Sequence, residues 1–291
     1  MIRLSHIYRS RIITVSHKTK LDGISTRKVI LKGTAKRGKF KSKNKRGDNE
    51  NLQHVVFPIL RQEKDGKFNL VGTGFFICDN GIFISAKHVF TDVIDDNGQC
   101  IKPLVIFHFL PDNIYIIRSI ERSIVNNRAD VGVGILKPLI HKKTKQPLKN
   151  NILTLTTKAP EIGEEVVTYA YPNILIDNKN SKQDIHFYPD YYDGTLVKYY
   201  ANGRDKTFLP NPCYQTNMVI HGGASGGPVF GLKGKVFGVN STGFFNDNIS
   251  FVSRINEILN IQIYPVTING QKPINITIGE LAELGHVILD R

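Results

Sequence analysis

A serine set among glycines and closed by a proline, Gly222-Gly223-Ala224-Ser225-Gly226-Gly227-Pro228, is the first place in this chain where chemistry could reside. Glycines permit backbone angles that side chains forbid, and successive amides in such a turn can converge on one anionic oxygen. A serine hydroxyl is a weak nucleophile until a base takes its proton, and that base needs an orienting group, usually a carboxylate. Among nine histidines, His88 follows the apolar run Ile82–Ala86 where a strand gives way to a helical turn. Asp130 stands where a polar loop enters the apolar run Val131–Leu136. Asp92, Asp95, Asp96 and Asp112 compete with it, and Gly/Ser/Pro clusters also mark ordinary turns. The candidate set, in chain order, is His88, Asp130 and Ser225.

The elements that must position these residues read as short strands. Val55–Leu60, Phe68–Cys78, Ile82–Ala86, Leu104–Phe109, Ile114–Ile120 and Val131–Leu136 form a first series, with a hairpin signal at Asn80-Gly81. After a lysine-rich connector from Lys137 to Asn150, a second series runs through Ile152–Thr156, Glu165–Ala170, Thr195–Tyr200, Tyr214–Ile220, Pro228–Leu232 and Lys235–Asn240. Two sets of about six strands predict two antiparallel barrels or sandwiches. Tyr171 to Asp193 reads as a long polar and aromatic loop bordering a cleft. Two short helices are expected near the C-terminus. Ser253 caps one carrying Ile255, Ile258 and Leu259, and a capping box at Thr277-Ile278-Gly279-Glu280 opens the other.

With 291 residues, 41% of them hydrophobic, the chain can bury a substantial core. Its net charge of +14 is lopsided, because residues 1–50 hold 15 Lys/Arg against three acids. Residues 1–52 therefore read as a basic, disordered arm. Its run 36–46 offers weak contact to nucleic acid or an anionic surface, and a solvated tail without a dedicated partner is the plainer reading. No apolar run is long enough to span a bilayer. Cys78, Cys100 and Cys213 are too scattered for a disulfide framework or a zinc site, although Cys78 and Cys100 leave a pairing open. Reduced thiols point to a cytoplasmic setting. The acid-free first twenty residues, with Arg3, Arg9 and Arg11 among Leu4, Ile7 and Ile12, keep an organellar transit segment as the alternative. No metal cluster or phosphate-binding loop is visible, so no cofactor is expected.

Four motifs taken together, Gly72-Thr-Gly-Phe-Phe-Ile77, Ser85-Ala-Lys-His88, Asp130-Val-Gly-Val-Gly-Ile135 and Gly223-Ala-Ser-Gly-Gly-Pro228, resemble the trypsin/chymotrypsin-like serine peptidases, bacterial members above all. The resemblance covers roughly residues 53–260. It implies an all-β fold of two antiparallel β-barrels with a short C-terminal helix, to which this chain adds a C-terminal tail. The first barrel would be residues 53–138, carrying His88 and Asp130. Residues 139–260 would hold the linker, the second barrel with Ser225, and the helix; 261–291 would be an extension. The resemblance further implies Ser225 as nucleophile, His88 as general base and then acid, and Asp130 as its orienting carboxylate. The oxyanion hole would be the amides of Gly223 and Ser225. Val219, Ile220 and His221 would line one wall of the primary specificity pocket, and Asn240, Ser241 and Gly243 the other.

Without an acid at its base, that pocket favours a small or medium apolar side chain, while His221 and Asn240 keep a polar ligand open. Ala224 stands where the digestive enzymes have an aspartate, so their zymogen switch is not expected. The implied function is serine endopeptidase on a protein or peptide substrate. Two alternatives remain: an idle peptidase-fold binding module with a nucleic-acid-binding arm, and an esterase or amidase on small acyl substrates.

Overall fold

A computed structural model of the chain describes residues 12–16, 26–31, 43–49, 51–93, 101–111, 114–126, 128–140, 144–179, 182–207, 209–244, 248–266 and 274–291. Two short strands come first, β1 (Ile12–Ser16) and β2 (Thr26–Leu31). Then come β3 (Val56–Gln62), β4 (Phe68–Phe76), β5 (Ile82–Ser85), the helical turn α1 (Lys87–Thr91), β6 (Leu104–Phe109), β7 (Tyr115–Asn126) and β8 (Gly132–Leu136). The strands β3 to β8 hydrogen-bond in the order β7-β6-β3-β4-β5-β8, and β8 pairs back onto β7. Every pairing in that ring is antiparallel, so it is a closed six-stranded barrel.

The second ring is built from β10 (Glu165–Lys179), β11 (Lys182–Tyr200), β12 (Cys213–Thr216), β13 (Pro228–Gly231), β14 (Val236–Phe244) and β15 (Ile249–Arg254), with the short β9 (Leu155–Thr156) beside it. Here the order β13-β10-β11-β12-β15-β14 closes through β13–β14, again with antiparallel pairs throughout. The chain is thus all-β, with two closed antiparallel barrels. After it come α2 (Asn256–Leu259), the antiparallel pair β16 (Gln262–Val266) and β17 (Ile274–Thr277), α3 (Ile278–Glu283) and β18 (Leu289–Asp290). β18 lies parallel to β9, and β9 parallel to β14.

Three segments depart from the sequence-based expectation. Residues 171–179 and 182–193 belong to the long antiparallel pair β10–β11, whose outer part leaves the second barrel and packs on the first. Phe187 lies 5.1 Å from Phe107 and 5.4 Å from Phe109, and all three rings are buried. Burying a ring of that size contributes about 1.5–3 kcal/mol. Ser253 remains in β15, paired with Cys213 and Val239, and α2 starts after Ile255 without a side-chain cap. Two pieces of the N-terminal segment pair as strands, β1 antiparallel with β7 and β2 parallel with the outer part of β11. The expected capping box of α3 is present, with Thr277 and Glu280 each bonding the other's backbone.

Of the basic run 36–46, residues 36–42 lie outside the described residues, and Lys45 donates to the Gly285 carbonyl. Cys100 and most of the acid-free first twenty residues also lie outside them. Cys78 and Cys213 are buried thiols. Among the described residues no helix is long and apolar enough to cross a membrane, and no cluster of three metal-ligating side chains occurs.

One polar group is buried deep against the first barrel. Arg118, 3% exposed, donates to Asn150 Oδ1 and faces His108 Nδ1 at 3.5 Å. His108 Nε2 lies 3.2 Å from the carbonyl of His54, so Nε2 carries the proton and Nδ1 is bare. Burial and the adjacent guanidinium push the His108 pKa down to about 3.

Candidate active site

Strand register brings the candidate residues together. Ser85, at the end of β5, pairs with Gly132, at the start of β8. In an antiparallel pair, the residues just after one strand and those just before its partner share one end of the sheet. His88, on α1, and Asp130 occupy that end. The second barrel repeats the device, since β13 and β14 pair at Pro228 and Val239. The turn before β13 carries Ser225, and the continuation of β14 carries Ser241.

His88 Nδ1 lies 3.1 Å and 3.0 Å from the two oxygens of Asp130, and the His88 amide donates to the same carboxylate at 3.1 Å. A carboxylate accepts, so the ring proton sits on Nδ1 and the Nε2 lone pair is free to act as a base. The Asp130 side chain is 12% exposed and that of His88 38%. Burial alone would lower the His88 pKa, but the hydrogen bond and charge of Asp130, with Asp92 adding to them, leave it raised above 6.5. For Asp130 burial acts upward, and bonds from His88 and Ser241 outweigh it to leave the pKa lowered. Asp92 is itself raised, by burial first and then by Asp130. Of the other carboxylates considered, Asp95, Asp96 and Asp112 lie outside the described residues.

Ser241 joins the two halves. Its hydroxyl donates a short hydrogen bond to Asp130 Oδ2, and its carbonyl accepts from Ser225 Oγ at 3.1 Å. Among the described residues this carbonyl is the one hydrogen-bond partner of the Ser225 hydroxyl.

The turn around Ser225 is tied down through its carbonyls. The Gly223 carbonyl accepts from Thr73 Oγ1 at 2.8 Å, and that of Ser225 accepts from the Thr73 amide at 2.8 Å. The Ala224 carbonyl accepts from the Gly227 amide at 3.0 Å and from Asn240 Nδ2 at 3.4 Å. A peptide N–H points away from its own carbonyl, so fixing the Ala224 carbonyl inward turns the Ser225 amide outward. No acceptor among the described residues binds the amide of Gly223 or Ser225. Gly223 and Gly226 have φ of +87° and +88°. A Cβ on Gly226 would lie 2.1 Å from Ser85 Oγ, so only glycine allows the turn to approach the first barrel this closely.

The expected pocket residues occupy different depths. Val219 is half-buried and Ile220 buried. Ile220 fills the space opposite Gly243, where an added Cβ would meet its Cγ1 at 2.9 Å. His221 is exposed, with its ring 5.7 Å from that of Tyr192. Asn240 is fully buried beneath the turn, bonded to Thr168 Oγ1 at 2.7 Å. Ala224 is buried among Val166, Ala170, Met218 and Val229, with no charged partner there. Past Val239, Asn240 exchanges backbone hydrogen bonds with Gly226 and Gly227; among the described residues no backbone bond continues on that side, so Ser241 to Phe244 present a strand edge beside Ser225.

Sequence reasoning gave no role to Thr73, Thr168 or Tyr192. Thr73 alone carried a signal: it is a hydroxyl residue between two glycines inside an apolar strand.

A family model described as the trypsin-like peptidase domain matches residues 72–239, more than half of the chain. No curated protein sequence matches. Among solved structures, the crystal structure of Deg5 is similar at 16% identity, covering 72% of this chain and 88% of that one, with a TM-score of 0.49. The active form of the Rv3671c protease from M. tuberculosis is similar at 18% identity, covering 71% and 78%, with a TM-score of 0.46. At these values no residue role is carried over from either.

Proposed function

The chain belongs to the trypsin-like peptidase family, and we propose that it is a serine endopeptidase working through Ser225, His88 and Asp130. The observation that carries this reading is the continuous bonded path His88–Asp130–Ser241–Ser225, which draws on both barrels.

In this reading a turn about the Ser225 Cα–Cβ bond moves its hydroxyl from the Ser241 carbonyl to His88 Nε2. The Ser241 carbonyl then accepts from the amide of an extended substrate laid along the Ser241–Phe244 edge, as an added strand. As Oγ attacks the peptide carbonyl, its proton passes to Nε2. The carbonyl oxygen, now an anion, accepts from the Gly223 and Ser225 amides. His88 returns that proton to the leaving amine, whose C–N bond breaks to give an acyl-serine. Water attacks the acyl group, with His88 again as base, and frees the acid. Asp130 keeps the ring in the Nδ1–H form and stabilises the imidazolium.

Ile220 gives this site its selectivity. Its side chain occupies the space that a large substrate side chain would need, so the residue before the cleaved bond is small and apolar. His221, exposed beside Tyr192, contacts substrate at the mouth of the pocket.

A fluorophosphonate probe tests the nucleophile. Wild type is expected to be labelled and Ser225→Ala spared, and equal labelling of both would refute the assignment. Casein and p-nitrophenyl esters separate the substrate classes, because hydrolysis of esters alone would refute the endopeptidase reading.

A further inference from the structure

Thr73, on β4 of the first barrel, is fully buried, and its side chain and backbone together form four hydrogen bonds. Its amide donates to the Ser225 carbonyl and its hydroxyl to the Gly223 carbonyl, both at 2.8 Å. The same hydroxyl accepts from the Tyr171 amide at 3.0 Å, and its own carbonyl accepts from Ser85 Oγ at 2.7 Å. An amide can only donate, so the single hydroxyl proton of Thr73 is committed to Gly223.

The target of that proton is specific. The peptide between Gly223 and Ala224 is held at both ends, its carbonyl by Thr73 and its N–H by the His221 carbonyl at 3.2 Å. It lies between the two amides proposed to receive the oxyanion, so rotating it would swing both off target. The space allows little relief, because a Cβ on Gly223 would already lie 2.6 Å from the Tyr171 carbonyl. Through Ser85, three residues before His88, the same threonine is bonded to the strand that delivers the base.

We infer that Thr73 is a positioning residue for the peptidase reaction: its hydroxyl holds the Gly223–Ala224 peptide so that the nucleophile turn of one barrel is aimed in register with the histidine of the other. The inference rests on the peptidase reading above. Thr73→Val keeps the shape and the backbone amide but removes the hydroxyl, and Thr73→Ser keeps the hydroxyl.

The test is the rate at which a fluorophosphonate labels Ser225: Oγ attacks phosphorus and expels fluoride, and the phosphoryl oxygen needs the same two amides. Rates are taken well below the melting temperature of each full-length protein. Thr73→Val is expected to be about 10- to 100-fold slower than wild type, the scale of a misplacement near 1 Å or of one lost oxyanion donor. Thr73→Ser is expected to stay within about 3-fold of wild type. A remote core variant of lowered stability, Ile106→Val, is expected to label at the wild-type rate, which separates aim from general loosening.

Should Thr73→Val fail to fold, Thr73→Ala lacks the same hydroxyl and takes its place against Thr73→Ser. Wild-type speed in the hydroxyl-free variant would overturn the inference. So would equal slowing in Thr73→Ser, or in Ile106→Val. An unlabelled wild type would overturn the peptidase reading and the inference with it, and that outcome is distinct from labelling that is indifferent to Thr73.

Discussion

Both carboxylate oxygens of Asp130 lie within 3.1 Å of His88 Nδ1, and one of them also takes the His88 amide. The aspartate therefore sets the position of the histidine backbone, the plane of its ring and its tautomer at once. Asp130→Asn presents an amide that can offer its own N–H to Nδ1 and so favours the opposite tautomer. Fluorophosphonate labelling should fall by about 10³- to 10⁴-fold.

The pH dependence of labelling is set by the same contact. His88 must be neutral to act as a base, and Asp130 holds its pKa above 6.5. The wild-type rate should rise with pH and level off only above that value. In Asp130→Asn the attraction of that carboxylate is gone while burial and the lesser pull of Asp92 remain, so the inflection should move to lower pH. A wild-type inflection below 6.5 would contradict the arrangement.

Ile220 should govern side-chain size at the cleaved bond. Ile220→Ala opens the space opposite Gly243 and is expected to improve kcat/KM for Leu or Met relative to Ala by about 10-fold or more, since each methylene contributes about 1 kcal/mol or more to discrimination. A panel of peptide p-nitroanilides measures this, and an unchanged preference would show that Ile220 does not bound the pocket.

His108 should make the fold acid-sensitive. The unfolded imidazole takes a proton near 6.5, whereas the folded one resists protonation until about 3. Between those values protons bind the unfolded chain preferentially, so the stability contributed above pH 6.5 is lost as pH falls toward 3. From pH 7 to pH 4.5 the loss is about 2–3 kcal/mol, by urea titration, beyond any shared with His108→Gln.

Phe187 anchors the outer part of the β10–β11 pair on the first barrel. Phe187→Ala should cost about 3–5 kcal/mol of unfolding free energy, since the cavity lies among Phe107, Phe109 and Tyr171 and has little freedom to collapse. Guanidinium denaturation reads this directly.

The parts of this molecule that were legible in its sequence are those whose causes are local. β5 comes after an Asn-Gly turn, α3 opens on a capping box, and Ser225, His88 and Asp130 each stand where an apolar strand meets a turn. The outer part of the β10–β11 pair was not legible, because Pro172, Pro189 and a high polar content read as loop. Its strand character comes from Tyr171 and Phe187 seated against a barrel far away in sequence. Ser253 looks like a helix cap by composition, yet its backbone is claimed by two neighbouring strands. Thr73 was hidden for the same reason: its hydroxyl acts on Gly223, 150 positions onward.

The pairing of β18 with β9 sets an order in time. The two-residue β9 waits for a partner more than a hundred residues onward, and Asp290 then locks onto Lys235 beside it. During synthesis both rings of strands can close before that partner has left the ribosome. A nascent chain stalled before Leu289 would therefore carry the strands of both barrels with the outer edge of β9 still without its partner.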